Sequence, residues 1–173
     1  GTCKFYVGDL PPEKIEDIRY CRLTETQVRL YREALSKRGK GLREALDTGA
    51  DRDIPYIHIF ALLTLLKQIC DHPAIVAAGS GRDGDLPLDS GKWELFTELL
   101  DACLEAGEKV VVYSQFVEMV RMIEAYLQES GVGAVSLTGS TRNRGRLIER
   151  FNTDPDCRVF VGSLKAGGTG IDL

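Results

Sequence analysis

Three short apolar runs alternate with two amphipathic stretches between Lys109 and Val161, and few folds accommodate that order. The runs are Lys109 to Tyr113 (KVVVY), Ala134 to Leu137 (AVSL) and Arg158 to Val161 (RVFV). The first is a near-continuous apolar run of the kind buried on both faces of a parallel sheet. Between the first two runs, Phe116, Met119, Val120, Ile123 and Leu127 recur at helical spacing, and Gly131 closes the stretch. Between the second and third, the segment from Arg144 to Asn152 turns Leu147, Ile148 and Phe151 to one face. Helical periodicity between apolar runs, with short connections, predicts β-α-β-α-β and a parallel sheet with right-handed crossovers. Polar groups follow each run: Ser114-Gln115, Thr138 to Thr141 and Ser163 to Thr169. In a parallel sheet these groups converge on the carboxyl edge, where open α/β sheets place their ligands.

The last run enters a segment with four glycines in nine residues, Gly162 to Gly170. Glycine allows positive φ and close approach of the backbone to a ligand. The segment also offers Ser163, Thr169, Lys165 and Asp172, a set suited to phosphates and a ribose. A Gly-rich run alone is a weak signal. By spacing alone a solvated connector is the better reading, and the context of the strand edge is what shifts it.

Composition narrows the classes. A net charge of −4 on 173 residues announces no global nucleic-acid surface, so any basic patch is local. The length fits one domain, or one with an appendage. The five cysteines are odd in number, scattered and without a CxxC pair, which points to neither a zinc site nor a disulfide framework and fits a reducing compartment. Cys70-Asp71-His72 reads as a buried cysteine beside a structural histidine rather than a metal site or dyad. The run from Ile57 to Leu66 is too short to span a bilayer, and no membrane partner is expected.

The first half of the sequence is helical. Ile15 to Cys21 is expected as an extended strand. Thr24 and Gln27 have capping-box spacing ahead of Val28, Tyr31 and Leu35, which predicts a helix over about Glu25 to Arg38, ended by Gly39-Lys40-Gly41, with Leu42 to Leu46 as a further turn. Pro55 opens a largely apolar helix, Tyr56 to Cys70, stopped by Asp71-His72-Pro73. Ala78 to Asp89 is rich in Gly and Asp and reads as a flexible linker. Ser90 caps a helix whose stripe is Trp93, Phe96, Leu99, Leu100 and Cys103, ended by Gly107. The expected domains are a helical segment over 1–78, a linker over 79–89 and an α/β lobe over 90–173.

Several of these segments, in this order, match something known: Leu65 to Pro73 (LLKQICDHP), Ser90-Gly91-Lys92, Val110 to Phe116 (VVVYSQF), Leu137 to Thr141 (LTGST), Arg144 followed by Phe151-Asn152, and Ser163 to Gly170 (SLKAGGTG). From about Leu10 to Leu173 the sequence resembles the second RecA-like lobe of Swi/Snf-type helicase-related ATPases. The short interval from Thr141 to Arg144 and the Leu164-Lys165 pair look like the bacterial members. The resemblance implies an α/β fold: a RecA-like parallel sheet flanked by helices, of the P-loop NTPase helicase type, preceded by a helical accessory segment that joins or braces the lobes.

The family implies an ATP-driven translocase on double-stranded DNA, a hydrolase that holds ATP and Mg2+ between two such lobes. By the resemblance, Ser114, Gln115, Thr138, Gly139, Ser140, Arg144, Ser163 and Lys165 would contact DNA phosphates. Gly168, Gly170 and Asp172 would approach ATP. The family more often has Asn where Asp172 stands; Gly170-Ile171-Asp172 is similar instead to the DEAD-box helicases, whose aspartate bonds the ribose. Arg142 and Arg146 fit a solvated basic cluster equally well. The partners implied are duplex DNA and the N-terminal lobe, with RNA polymerase or other DNA-bound proteins as possible targets, in the cytoplasm at the nucleoid. The sequence carries no GxxxxGK[ST] phosphate loop, and the family's arginine-finger motif would lie beyond Leu173. Loss of an arginine finger alone costs on the order of 10³–10⁵ in rate. The 173 residues alone are therefore expected to be inactive, with no catalytic residue, no metal site and no tightly bound cofactor. Two readings from other classes stand beside this one: a stand-alone Rossmann-like mononucleotide-binding domain, and a helical protein-interaction module on an α/β scaffold.

Overall fold

A reciprocal capping box starts the first helix, α1 (Glu25–Asp47). The Gln27 amide N–H donates to Thr24 Oγ1 at 3.2 Å, and Thr24 N–H donates to Gln27 Oε1 at 3.0 Å. The computed structural model describes residues 16–47, 56–80 and 89–167. Two compact units divide the described residues, one holding Tyr20–Leu95 and the other residues 96–167 with 16–19. α1 runs through Gly39 and Gly41 without a break, so the expected stop there is wrong. A glycine inside a helix costs only about 1 kcal/mol relative to alanine, which a 23-residue helix with a packed face absorbs.

In the first unit, α1 packs on α2 (Tyr56–Asp71). Their shared core is Ala34, Leu62, Leu66 and Ile69, flanked by Leu30, Tyr31, Leu65 and Val76. Pro73 does more than stop α2. It occupies the first position of α3 (Pro73–Ser80), where its missing N–H leaves no bond unmade. α3 was not expected, and it takes in the first residues assigned to the linker; residues 81–88 lie outside the description. The expected strand over Ile15 to Cys21 is absent from residues 16–21, which carry no regular structure. Residues 16–20 are all exposed, so no apolar face there rewards pairing.

Gln27 is fully buried and ties this unit together. Its Nε2 donates to Ile69 O at 2.8 Å and to Cys70 O at 3.2 Å, and its Oε1 accepts from Gly91 N at 3.3 Å. Ser90 caps α4 (Gly91–Glu105) as expected, its Oγ accepting from Trp93 N and donating to Asp71 O. Lys92 pairs with Asp71 in a largely buried ion pair. His72 is buried, accepts from Ala74 N at Nδ1, and meets the Trp93 ring edge-on at 5.8 Å. The Cys70 thiol is pushed up by burial, which keeps it protonated and inert. The Cys70-Asp71-His72 run is thus a helix terminus, with each group engaged in structure.

The second unit is a three-stranded, all-parallel sheet of β1 (Val110–Ser114), β2 (Gly133–Leu137) and β3 (Cys157–Ser163), in the order β1-β3-β2. All three strands fall where the apolar runs predict. β3 lies in the middle, with six of its seven residues buried. α5 (Val117–Glu129) follows β1 and α6 (Arg144–Thr153) follows β2. α6 covers one face, where Phe151 joins Val135, Leu137, Cys157, Phe160 and Ala166. Val159 and Val161 alternate onto the other face and are also buried. α5 packs against all three strands and buries Met119, Val120, Ile123 and Leu127. Lys109 Nζ donates to the α6 carbonyl of Phe151 and to Asp154 O, and lies 5.1 Å from the Phe151 ring centroid. That arrangement satisfies carbonyls left open at a helix end.

A Cβ at Gly162 would sit 2.5 Å from the Tyr113 ring carbon Cε1. Gly162→Ala should therefore destabilise the fold by roughly 1–3 kcal/mol in urea unfolding, as overpacking does. The Gly162→Ala/Tyr113→Leu double variant should be no less stable than Tyr113→Leu alone, and an additive loss would reject the clash. Burial holds the His72 imidazole below its ordinary pKa, opposed in part by the Asp89 carboxylate. The folded state then binds fewer protons than the unfolded state. His72's contribution is complete above the ordinary imidazole pKa and is lost as pH falls through it toward the lower folded value. Unfolding at pH 8 and pH 5.5 should show this loss, and His72→Asn, which keeps an acceptor for Ala74 N, should flatten it; an unchanged slope would assign the effect elsewhere.

Candidate functional site

Strand register levels the carboxyl edge of the sheet. Ser114 pairs with Ser163, and Leu137 with Gly162, so Thr138, one residue on, comes level with Ser163. Adjacent strands lie about 4.8 Å apart. Three hydroxyl residues thus stand in a row across the edge, and each is followed by the start of a helix.

The three ends differ. Ser114 Oγ accepts from Phe116 N at 3.2 Å, which turns the chain into α5, and Gln115 is exposed beside it. At the β3 end, Ser163 is buried, 3% exposed, and its Oγ accepts from Ala166 N at 3.3 Å. The described part of the Gly-rich segment is not an open loop but a helical turn, α7 (Leu164–Gly167), with Lys165 exposed on it. Gly168, Gly170 and Asp172 lie outside the described residues.

The β2 end is a tight hydroxyl turn. Thr141 N donates to Thr138 O at 3.1 Å, and Thr138 N donates to Thr141 Oγ1 at 2.8 Å. Thr138 Oγ1 lies 3.0 Å from Ser140 Oγ and 3.3 Å from Thr141 Oγ1. Gly139 and Ser140 are exposed at the rim. A Cβ at Gly139 would meet nothing within 4 Å, and its φ is not positive. Neither crowding within the protein nor backbone strain accounts for a glycine there. The motif reading gives Thr141 no role, although the Thr-x-x-Thr spacing is the signal for such a side-chain-to-backbone turn.

Beyond the turn, Asn143 precedes α6 in the left-handed region, φ 60°, and no side chain caps the helix. Arg144, half-buried, is the first helical residue, Arg142 and Arg146 are exposed nearby, and the first turn holds no acid. Positive side chains at a helix N-terminus oppose its dipole by about 0.3–1 kcal/mol each, a cost that an anion at this edge would relieve. Among the described residues, no group of three or more His, Cys, Asp or Glu is arranged to hold a metal ion. Among the described residues, too, no helix is long and apolar enough to cross a membrane.

Comparison with known proteins agrees with this architecture. Residues 91–173 match the family described as helicase conserved C-terminal domain. The DNA excision repair protein ERCC-6 of Mus musculus is 27% identical over 176 residues, covering 94% of this chain and 11% of that protein, so the chain spans a small part of its relative. The C-terminal domain of a Sulfolobus solfataricus SWI2/SNF2 ATPase is 28% identical, with a TM-score of 0.73, over 90% of this chain and 65% of that one. A Sulfolobus solfataricus SWI2/SNF2 ATPase core in complex with dsDNA is 26% identical, with a TM-score of 0.69, over 83% of this chain and 30% of that one. The chain is similar to the helicase conserved C-terminal domain family over residues 91–173, and it carries the fold of the SWI2/SNF2 ATPase C-terminal, RecA-like lobe.

Proposed function

We propose that this chain forms the C-terminal half of an ATP-driven motor on double-stranded DNA. It supplies part of a phosphate track and one wall of an ATP site shared with an N-terminal RecA-like lobe. The observation that carries the reading is the register that brings Ser114, Thr138 and Ser163 level at one sheet edge. Hydroxyls and backbone amides are the groups that hold phosphates without reading sequence. On this reading Ser114, Gln115, Thr138, Gly139, Ser140 and Arg144 line the track. Ser163 acts by starting the turn that carries Lys165. Gly168, Gly170 and Asp172 face ATP, and Mg2+ arrives with the nucleotide. The segment with α1, α2 and α3 serves as the helical brace and residues 90–173 as the lobe.

A relative whose core was solved with dsDNA supports the choice of ligand. A stand-alone mononucleotide domain has less support. The first β-to-α connection, where such domains place their glycines, is Gln115-Phe116.

ATP hydrolysis by the longer protein that contains this chain, with and without duplex DNA, tests the reading beside the 173 residues alone. Duplex should stimulate the longer protein, and the 173 residues, which lack a GxxxxGK[ST] loop, should show no turnover. Equal rates with and without duplex in the longer protein would overturn the motor reading; turnover by the 173 residues would overturn the half-site. Gly139→Ala separates track from scaffold. Its added methyl has open space, so stability should stay within about 0.5 kcal/mol. Duplex affinity should fall roughly fivefold, the scale of one hydrogen bond. Unchanged affinity would remove Gly139 from the track.

A further inference from the structure

We propose that Thr141 is a positioning residue for phosphate binding: its hydroxyl, bonded to Thr138, anchors the inner end of a hydroxyl chain that ends on the exposed Ser140. The inference rests on the duplex-DNA reading above.

The geometry begins at Thr138 N–H, which donates to Thr141 Oγ1 at 2.8 Å. That bond occupies one acceptor position on Thr141 and leaves its proton to be placed. Thr138 Oγ1 is the hydroxyl beside it, at 3.3 Å, and Ser140 Oγ follows at 3.0 Å from Thr138 Oγ1. Each of these two contacts can run in either direction, because a hydroxyl both donates and accepts. A phosphate only accepts. When one binds at the rim, the chain is driven outward: Thr141 O–H donates to Thr138 Oγ1, Thr138 O–H donates to Ser140 Oγ, and Ser140 O–H is left for the phosphate oxygen. In the opposite direction Ser140 donates inward and the rim has no hydroxyl donor to offer. Linked hydroxyls polarise one another, so the outermost donor is also strengthened.

The same bonds decide which amides are presented. Thr138 N–H is taken by Thr141 Oγ1 and Thr141 N–H by Thr138 O. The exposed Gly139-Ser140 pair remains at the rim, where the absence of a side chain on Gly139 leaves open space above the backbone. Thr141 would therefore shape affinity for DNA without touching it.

The test uses the full-length protein, a duplex oligonucleotide as the probe, and Thr141→Val and Thr141→Ser. Duplex-stimulated hydrolysis gives the half-saturating duplex concentration, kcat at saturating duplex and KM for ATP. Thr141→Val, which keeps shape and loses the hydroxyl, should raise the half-saturating duplex concentration roughly tenfold, the scale of a hydrogen bond to a charged group. kcat and KM for ATP should stay within about twofold, as expected when only uniform binding is lost. Thr141→Ser should restore the parent value. Parent-like behaviour of Thr141→Val, or a Thr141→Ser variant as weak as Thr141→Val, would overturn the proposal. If Thr141→Val does not fold, Ser140→Ala carries the test. It removes the last donor from an exposed position, and it should show the same loss in duplex affinity alone; an unaffected Ser140→Ala would overturn the proposal as well. A parent protein that ignores duplex DNA would instead refute the motor reading on which this rests.

Discussion

The parallel register of β3 against both neighbours is the constraint on which the candidate site depends. β3 is buried on both faces, so a slip by one residue would carry Phe160 to the face that holds Val159 and Val161 and misfit the packing on both. With β3 fixed, β1 and β2 are in register against it, and Ser114 and Thr138, the residue after β2, come level with Ser163. The polar residues that follow are then delivered to one edge by a decision made in the core. Tyr113 shows how closely core and edge are joined. Its ring packs 6.2 Å from Phe160 and lies where a side chain on Gly162 would be, one residue below the Ser114–Ser163 pair.

The first unit solves a different problem. Three helix ends come together there, and helix ends leave backbone donors and acceptors unmade. Gln27 and Ser90 satisfy groups from α1, α2 and α4 with side-chain atoms. No buried side-chain nitrogen or oxygen among the described residues lacks a partner. A buried amide with all its bonds made fixes one arrangement, because any other arrangement strands it. The Lys92–Asp71 pair beside it extends that logic to charge.

Much of this was legible in the sequence, and the exceptions have physical reasons. The three strands, the helices between them and the caps at Thr24 and Ser90 could be read because period and capping chemistry are local. The glycines at 39 and 41 misled because a local penalty of about 1 kcal/mol was weighed without the length of helix that absorbs it. Pro73 read as a stop, yet the same residue is an ideal first residue, and only the chain after it decides which role applies. Ile15 to Cys21 has the composition of a strand, but a strand needs a partner, and pairing is not a local property. The edge itself was legible as a set of polar residues after strands. Its internal bonding was not. Whether Ser163 turns inward to cap α7, or Thr141 accepts from Thr138, depends on rotamers and turn geometry that spacing does not encode.

An acidic chain can hold a polyanion only by local placement, and on the proposed reading this edge provides it. The charge of −4 is spread over the sequence, whereas Arg142, Arg144 and Arg146 gather at the start of α6 and Lys165 stands on α7. Between them the candidate donors are neutral: hydroxyls and amides. A hydrogen bond from a neutral donor to a charged phosphate contributes about 1.5–3 kcal/mol. On the proposed motor reading, which requires gripping a phosphate backbone and then letting go of it, several such bonds made at one level edge suit the task better than a few strong ion pairs. They sum to a firm hold when all are engaged, and each can be broken without stranding a charge. The level edge set by β3 is what allows them to engage together.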